Sequence, residues 1–262
     1  MRAFPAPPWS RRGSSHGAAV HPLSLAAGDD AGKRSGMTFP DPFIPLLVVH
    51  ISAGLCAVLI GVLPILTRKG SRLHRLSGRV FAVLMVTLLI CAWAMTALRP
   101  NAYFLGLSAS ASLTLFSGLR VLGRKRPDVR AADRARPLDG IATLGVMGVG
   151  LLVLGLAITG RSDAPPRILI ALAYGAMSLG AWDLWRFARP LDWPFSPELW
   201  MYEHLWKMLG AYGAVLSAFS GNFLTFLPPP WSALWPTVLF QSLSMVWIAV
   251  LLVRKRLRLI PA

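Results

Sequence analysis

Seven runs of apolar residues, separated by short polar breaks, occupy most of the chain between residues 43 and 253. They fall near 43–66, 79–98, 102–122, 139–159, 167–187, 204–227 and 232–253. About 20 apolar residues in helical conformation cross the hydrocarbon core of a bilayer, and runs of this length are the strongest helix signal a single sequence carries. The pattern therefore predicts an all-α polytopic membrane helix bundle of about seven transmembrane helices. The breaks hold the Pro, Gly and charge clusters that end helices: Arg99-Pro100-Asn101, the basic stretch 123–138, Arg161 to Arg167, Arg189 to Glu203, and Leu227-Pro228-Pro229-Pro230.

Composition agrees with the pattern. Hydrophobic residues make up 55% of the 262, charged residues 15%, and the mean hydropathy is +0.55, too apolar for an ordinary soluble domain. The net charge of +16 would suggest nucleic acid in a soluble protein. Here the basic residues collect between apolar runs, where they meet anionic lipid headgroups, so no nucleic-acid partner is expected. Cys56 and Cys91 both lie mid-run and read as small packing residues.

The loop charges give the threading. Arg68, Lys69, Arg72, Arg75 and Arg79 surround the first turn, and Arg124, Lys125, Arg126, Arg130, Arg134 and Arg136 crowd the loop after the third run. The tail adds Arg254, Lys255, Arg256 and Arg258. Alternate breaks are poor in positive charge, and only the slightly acidic 188–203 loop votes weakly. The positive-inside bias then puts the N-terminus outside and the C-terminus in the cytoplasm of a bacterial inner membrane. Residues 1–36, rich in Pro, Gly, Ser, Ala and Arg, carry no apolar run. They are expected to be a disordered extension or to precede a true start at Met37, leaving 37–262 as the transmembrane domain.

Polar side chains at membrane depth are costly and mark candidate sites. On the basic side these are His74, Arg75, Arg79, Asp139, Asp183, Glu203, His204 and Lys207; toward the other side lie His50, Asn101 and Asn222. Asp183 and Lys207 fall at similar depth on consecutive runs and are expected to pair, with His204 as a possible third member. The competing reading has Lys207 snorkelling alone to the headgroups. His74 and His204 share a side, so two imidazoles could hold a b-type haem, or one metal ion with Asp183. Gly210, Gly213, Ala214, Ser217, Ala218 and Gly221 would give such a macrocycle room, or would equally serve close helix packing. His50 shares a helical face with Gly54, Ala57 and Gly61, which points it at a neighbouring helix or at a proton or quinone site. The glycines of the fourth run, Gly145, Gly148, Gly150 and Gly155, make no nucleotide loop, and no hydrolase motif is present. The tryptophans fit interfacial belts.

Two stretches carry a family resemblance. Val49-His50-Ile51-Ser52-Ala53-Gly54 followed by Lys69-Gly70, His74-Arg75, Gly78-Arg79-Val80-Phe81 resembles a group of bacterial multi-pass membrane proteins of unknown function. Glu203-His204-Leu205-Trp206-Lys207-Met208-Leu209-Gly210-Ala211-Tyr212 resembles a later helix of that group. The resemblance covers roughly residues 43–250 and implies multi-pass topology without an activity. Leu73-His74 through Gly78 is also loosely similar to the cytochrome b561-like membrane haem proteins, which use four helix-borne histidines for two haems. Three are available here, which leaves room for one haem. The expectations are a membrane protein that transports or binds a small molecule through the basic-side cluster, a single-haem redox protein exchanging electrons with quinone, or an assembly or structural partner.

Overall fold

A computed structural model describes residues 41–162, 164–189, 198–224, 226–227 and 231–258. The expected 1–36 extension, the Met37 start and the 190–197 stretch of the weakly acidic loop lie outside them. Within the described residues the chain is all helix: α1 Phe43–Leu66, α2 Arg72–Leu98, α3 Ala102–Arg120, α4 Pro137–Thr159, α5 Pro166–Ala188, α6 Leu199–Phe223 and α7 Trp231–Arg258, with two short 3-10 turns at Val121–Gly123 and Ala131–Asp133.

Six of the seven are long and apolar enough to cross a membrane. The exception is α6, whose first turns carry Glu203, His204 and Lys207 and which, like α3, is largely enclosed by the other helices. α1 pairs with α2, α4 with α5, and α6 with α7; α3 runs through the middle against α2, α4, α5 and α6. Most large apolar side chains on α1, α2, α4 and α7 face outward, as expected where the surrounding solvent is hydrocarbon.

Local sequence explains the boundaries. α2 begins at Arg72, a full two turns before the apolar run, because Ser71 caps it by accepting from the His74 backbone N–H at 3.1 Å. Gly70 precedes that cap with φ 76°, and Gly160 ends α4 with φ 64°, left-handed values that a side chain disfavours. Asn101 caps α3 through Tyr103 and Phe104. α6 starts five residues before the expected 204 and ends four before 227.

Two helices contain proline. Pro64 lies near the end of α1, where lost backbone bonds matter least. Pro236 lies inside α7 and leaves the Ser232 carbonyl without its usual donor. The Ser220 hydroxyl of α6 donates to that carbonyl and also accepts from Trp235 Nε1 at 2.6 Å. One turn away, Ser217 Oγ accepts from the Thr237 backbone N–H at 3.2 Å. Serines of the neighbouring helix thus re-satisfy the interrupted backbone, the usual condition for proline in an apolar bundle.

Candidate functional site

The ends of α3, α4, α5 and α6 nearest the basic loops assemble six charged side chains. Asp183 on α5 and Lys207 on α6 make the expected pair, Nζ to Oδ1 2.5 Å, with side-chain exposures of 1% and 0%. Lys207 is enclosed by protein on all sides, so it reaches a carboxylate and not the bundle surface. Glu203, one turn earlier on α6, lies 3.9 Å from Lys207 Nζ and 3.5 Å from Arg186 Nε, and accepts from Trp182 Nε1 at 2.7 Å. Two cations and two carboxylates therefore neutralise one another among residues almost wholly out of solvent. That is the condition under which buried charge is tolerated.

A second pair lies beside it. Arg120, at the end of α3, grips Asp139 of α4 through two bonds, Nε to Oδ1 2.8 Å and Nη2 to Oδ2 3.0 Å. Asp139 Oδ2 also accepts from the Arg136 N–H at 2.8 Å, fixing the start of α4. In the loop above, Arg126 bonds Asp128 and holds its carboxyl below the usual carboxylate range. Arg124 stacks on Phe187 of α5 at 4.9 Å. Arg124, Arg134, Arg186 and Glu203 line a cavity of about 20 Å³, enough for roughly one water. Asp183 Oδ2 and Arg124 Nε are buried here without a hydrogen-bond partner among the described residues.

The histidines are arranged differently. His204 does not join the Asp183–Lys207 pair; its Nδ1 bonds the Gly118 carbonyl of α3 at 2.9 Å. His74 Nδ1 bonds the Pro64 carbonyl at 3.1 Å, and Lys69 Nζ reaches the same oxygen at 2.7 Å and Ile65 O at 2.8 Å. Lys69 and His74 together cap the open carbonyls ending α1, and partial burial lowers the Lys69 ammonium below its ordinary value. His50 Nδ1 bonds the Leu88 carbonyl at 3.0 Å across the α1–α2 interface. A carbonyl oxygen only accepts, so Nδ1 carries a hydrogen in all three rings.

Of the eight residues expected to cluster, Asp139, Asp183, Glu203 and Lys207 lie in the charged layer of α3–α6. His204 of α6 sits beside it, bonded to the Gly118 carbonyl of α3. Arg75 and Arg79 are exposed on α2, with Arg75 bonded to Gly70 O. Asn222 is exposed near the end of α6 and bonds Ala218 O at 2.7 Å. Arg120, Arg186 and Trp182 belong to the network and were not expected in it. The two arginines fall inside the third and fifth apolar runs, and the tryptophan reads from sequence as part of a belt. Their signal was position: each closes a run at the end where an acidic residue also stands.

A haem between His74 and His204 needs space beside the rings as well as donors. The Nδ1 bonds fix the rings as axial ligands require. The small residues of α6, however, are filled by their neighbours. A Cβ on Gly210 would lie 2.8 Å from Gln241 Nε2, and one on Gly213 3.2 Å from Phe240 Cβ. The donor chemistry fits the group; the space does not. Among the described residues, no three His, Cys, Asp or Glu side chains converge as a metal site.

The fold and the site define a class, an all-helical bundle with six helices able to cross a membrane and a charge-balanced layer at one end. No family model, characterised protein or solved structure matches the chain, so function rests on the side chains themselves.

Proposed function

We propose that the chain is a seven-span protein of a bacterial inner membrane, its basic loops in the cytoplasm, that binds or transports a small polar solute through the charged layer of α3–α6. The observation carrying this is the enclosed Asp183–Lys207 pair with an unpartnered carboxylate oxygen, joined through Glu203 to a small cavity that Glu203 and Arg186 line together with Arg124 and Arg134 of the basic loop. Charge buried at membrane depth favours a functional over a purely structural reading. The length of α6 and its packing among α3, α1 and α7 support counting it as a seventh span.

The test is a thermal-stability screen of the detergent-purified protein against phosphate, carboxylates, amino acids and amines. A bound solute raises the midpoint by mass action, and Asp183→Asn should erase the shift. Absence of any shift across the panel, or a shift that Asp183→Asn leaves intact, rejects this reading. The haem alternative draws on the Nδ1-anchored His74 and His204; the filled glycine positions of α6 count against it. A Soret band in protein made with ample haem, lost in His74→Ala and His204→Ala but kept in His50→Ala, would put it first.

A further inference from the structure

The opposite end of the bundle holds a cleft unrelated to the charged layer. α2 and α4 both pack on α3 and not on each other. Between their ends this leaves an opening of about 520 Å³, within the range of ligand sites. Its walls are apolar: Trp93 of α2, Leu105 of α3, and Leu152 and Leu156 of α4. The Trp93 N–H is spent on Ser112 Oγ at 3.0 Å, so the ring presents its hydrocarbon face.

The mouth holds Arg161 and Asn101, with the Thr96 and Ser162 hydroxyls beside them. Arg161, one residue past the Gly160 cap, is exposed and makes no side-chain hydrogen bond or ion pair among the described residues. The contrast is Arg99 at the same end, bound to Asp41 at 2.8 Å and stacked on Phe43. Asn101 uses its carbonyl oxygen to cap α3, which leaves its NH₂ to donate. Among the described residues no carboxylate lines the cleft. A helix-end arginine beside a tryptophan marks the headgroup level of a bilayer, and a free guanidinium there matches a phosphate.

We propose that this cleft is a binding site for one anionic phospholipid, its phosphate on Arg161 and Asn101 and one acyl chain along Leu105, Leu152 and Leu156. The charge complementarity selects the anionic headgroup over a zwitterionic one, and the apolar walls select a lipid over a free anion. The site stands apart from the proposed solute layer and does not depend on it.

The test uses the full chain in detergent. Native mass spectrometry counts retained lipid, and thermal unfolding is followed with added phosphatidylglycerol or phosphatidylcholine. Phosphatidylglycerol should be retained at one per chain and raise the midpoint more than phosphatidylcholine does. Arg161→Gln, at an exposed position, should weaken phosphatidylglycerol about fivefold to tenfold. Leu156→Trp, which fills the cleft, should release it; Leu152→Trp at the half-exposed wall is the second variant should the first not fold. Arg124→Gln at the far end should leave binding unchanged. Equal retention of the two lipids, an Arg161→Gln protein that binds as tightly as the parent, or displacement by inorganic phosphate or a short-chain quinone would overturn the proposal.

Discussion

Lys207→Met tests the energetics of the charged layer most directly. At 2.5 Å and an effective dielectric near 20, the attraction between Lys207 and Asp183 is about 7 kcal/mol. Withdrawing the two ions from water costs several kcal/mol each, so the pair's net worth is close to zero. The arithmetic changes when one partner goes. Lys207→Met leaves Asp183 enclosed, with one oxygen already unpartnered, and should cost about 3–5 kcal/mol. The double variant Lys207→Met/Asp183→Leu removes both charges and should return to within about 1 kcal/mol of the parent, since Glu203 keeps Arg186 and Trp182. Reversible unfolding in mixed micelles gives all three values. A Lys207→Met cost below about 1 kcal/mol, or a double variant as damaged as the single, would refute the reasoning. Either result would mean that Lys207 reaches headgroups or water and is not closed against Asp183.

Ser220→Ala should cost about 1–3 kcal/mol, because it strands both the Ser232 carbonyl freed by Pro236 and the Trp235 indole N–H; the same unfolding assay measures it. Gly61→Ala should destabilise by about 1–3 kcal/mol, its new Cβ meeting the Tyr212 ring at 2.6 Å, whereas Gly145→Ala, with nothing within 4 Å, should be neutral or up to about 1 kcal/mol stabilising. The Arg126–Asp128 bond should persist as pH falls through the usual carboxylate range and be lost only as pH passes the depressed Asp128 value. Carboxyl NMR of the loop checks this, and titration of Asp128 at the ordinary aspartate value would contradict it.

What the sequence carried was the part fixed by one-dimensional patterning. α1 coincides with its apolar run, Phe43–Leu66, because both of its ends are set locally, by Pro42 and by the polar turn at Thr67. α2 was truncated in the reading because hydropathy places a helix start at the first apolar residue, whereas the cap at Ser71 places it two turns earlier, on residues that face outward. The Asp183–Lys207 pair was legible from depth alone: two opposite charges one turn inside consecutive apolar runs have few other partners. His204 was not, since its partner is a backbone carbonyl on α3, and every residue supplies one. Arg120 and Arg186 were hidden for a related reason. An arginine at a span end serves lipid phosphate and a buried carboxylate equally well, and only packing decides between them.

α6 raises a question of order: how a helix too polar to qualify as a span on its own comes to lie inside the bundle. Its charges are placed to help. Glu203 and Lys207 are four residues apart with 3.9 Å between their charged atoms, so the helix carries its own counter-ion before α3 and α5 arrive. Acidic before basic at this spacing is the favourable order. Asp183 and Arg186 then offer a second layer of neutralisation from α5, already made by the time α6 is synthesised. On this argument Glu203→Gln should impair insertion of α6 more than Asp183→Asn does, because it removes the counter-ion that travels with the helix. Asp183→Asn should instead weaken the finished bundle. An engineered glycosylation acceptor after α6, read in a microsomal insertion assay, separates the two. Equal insertion of the Glu203→Gln and parent chains would show that the partner helices alone carry α6 into place.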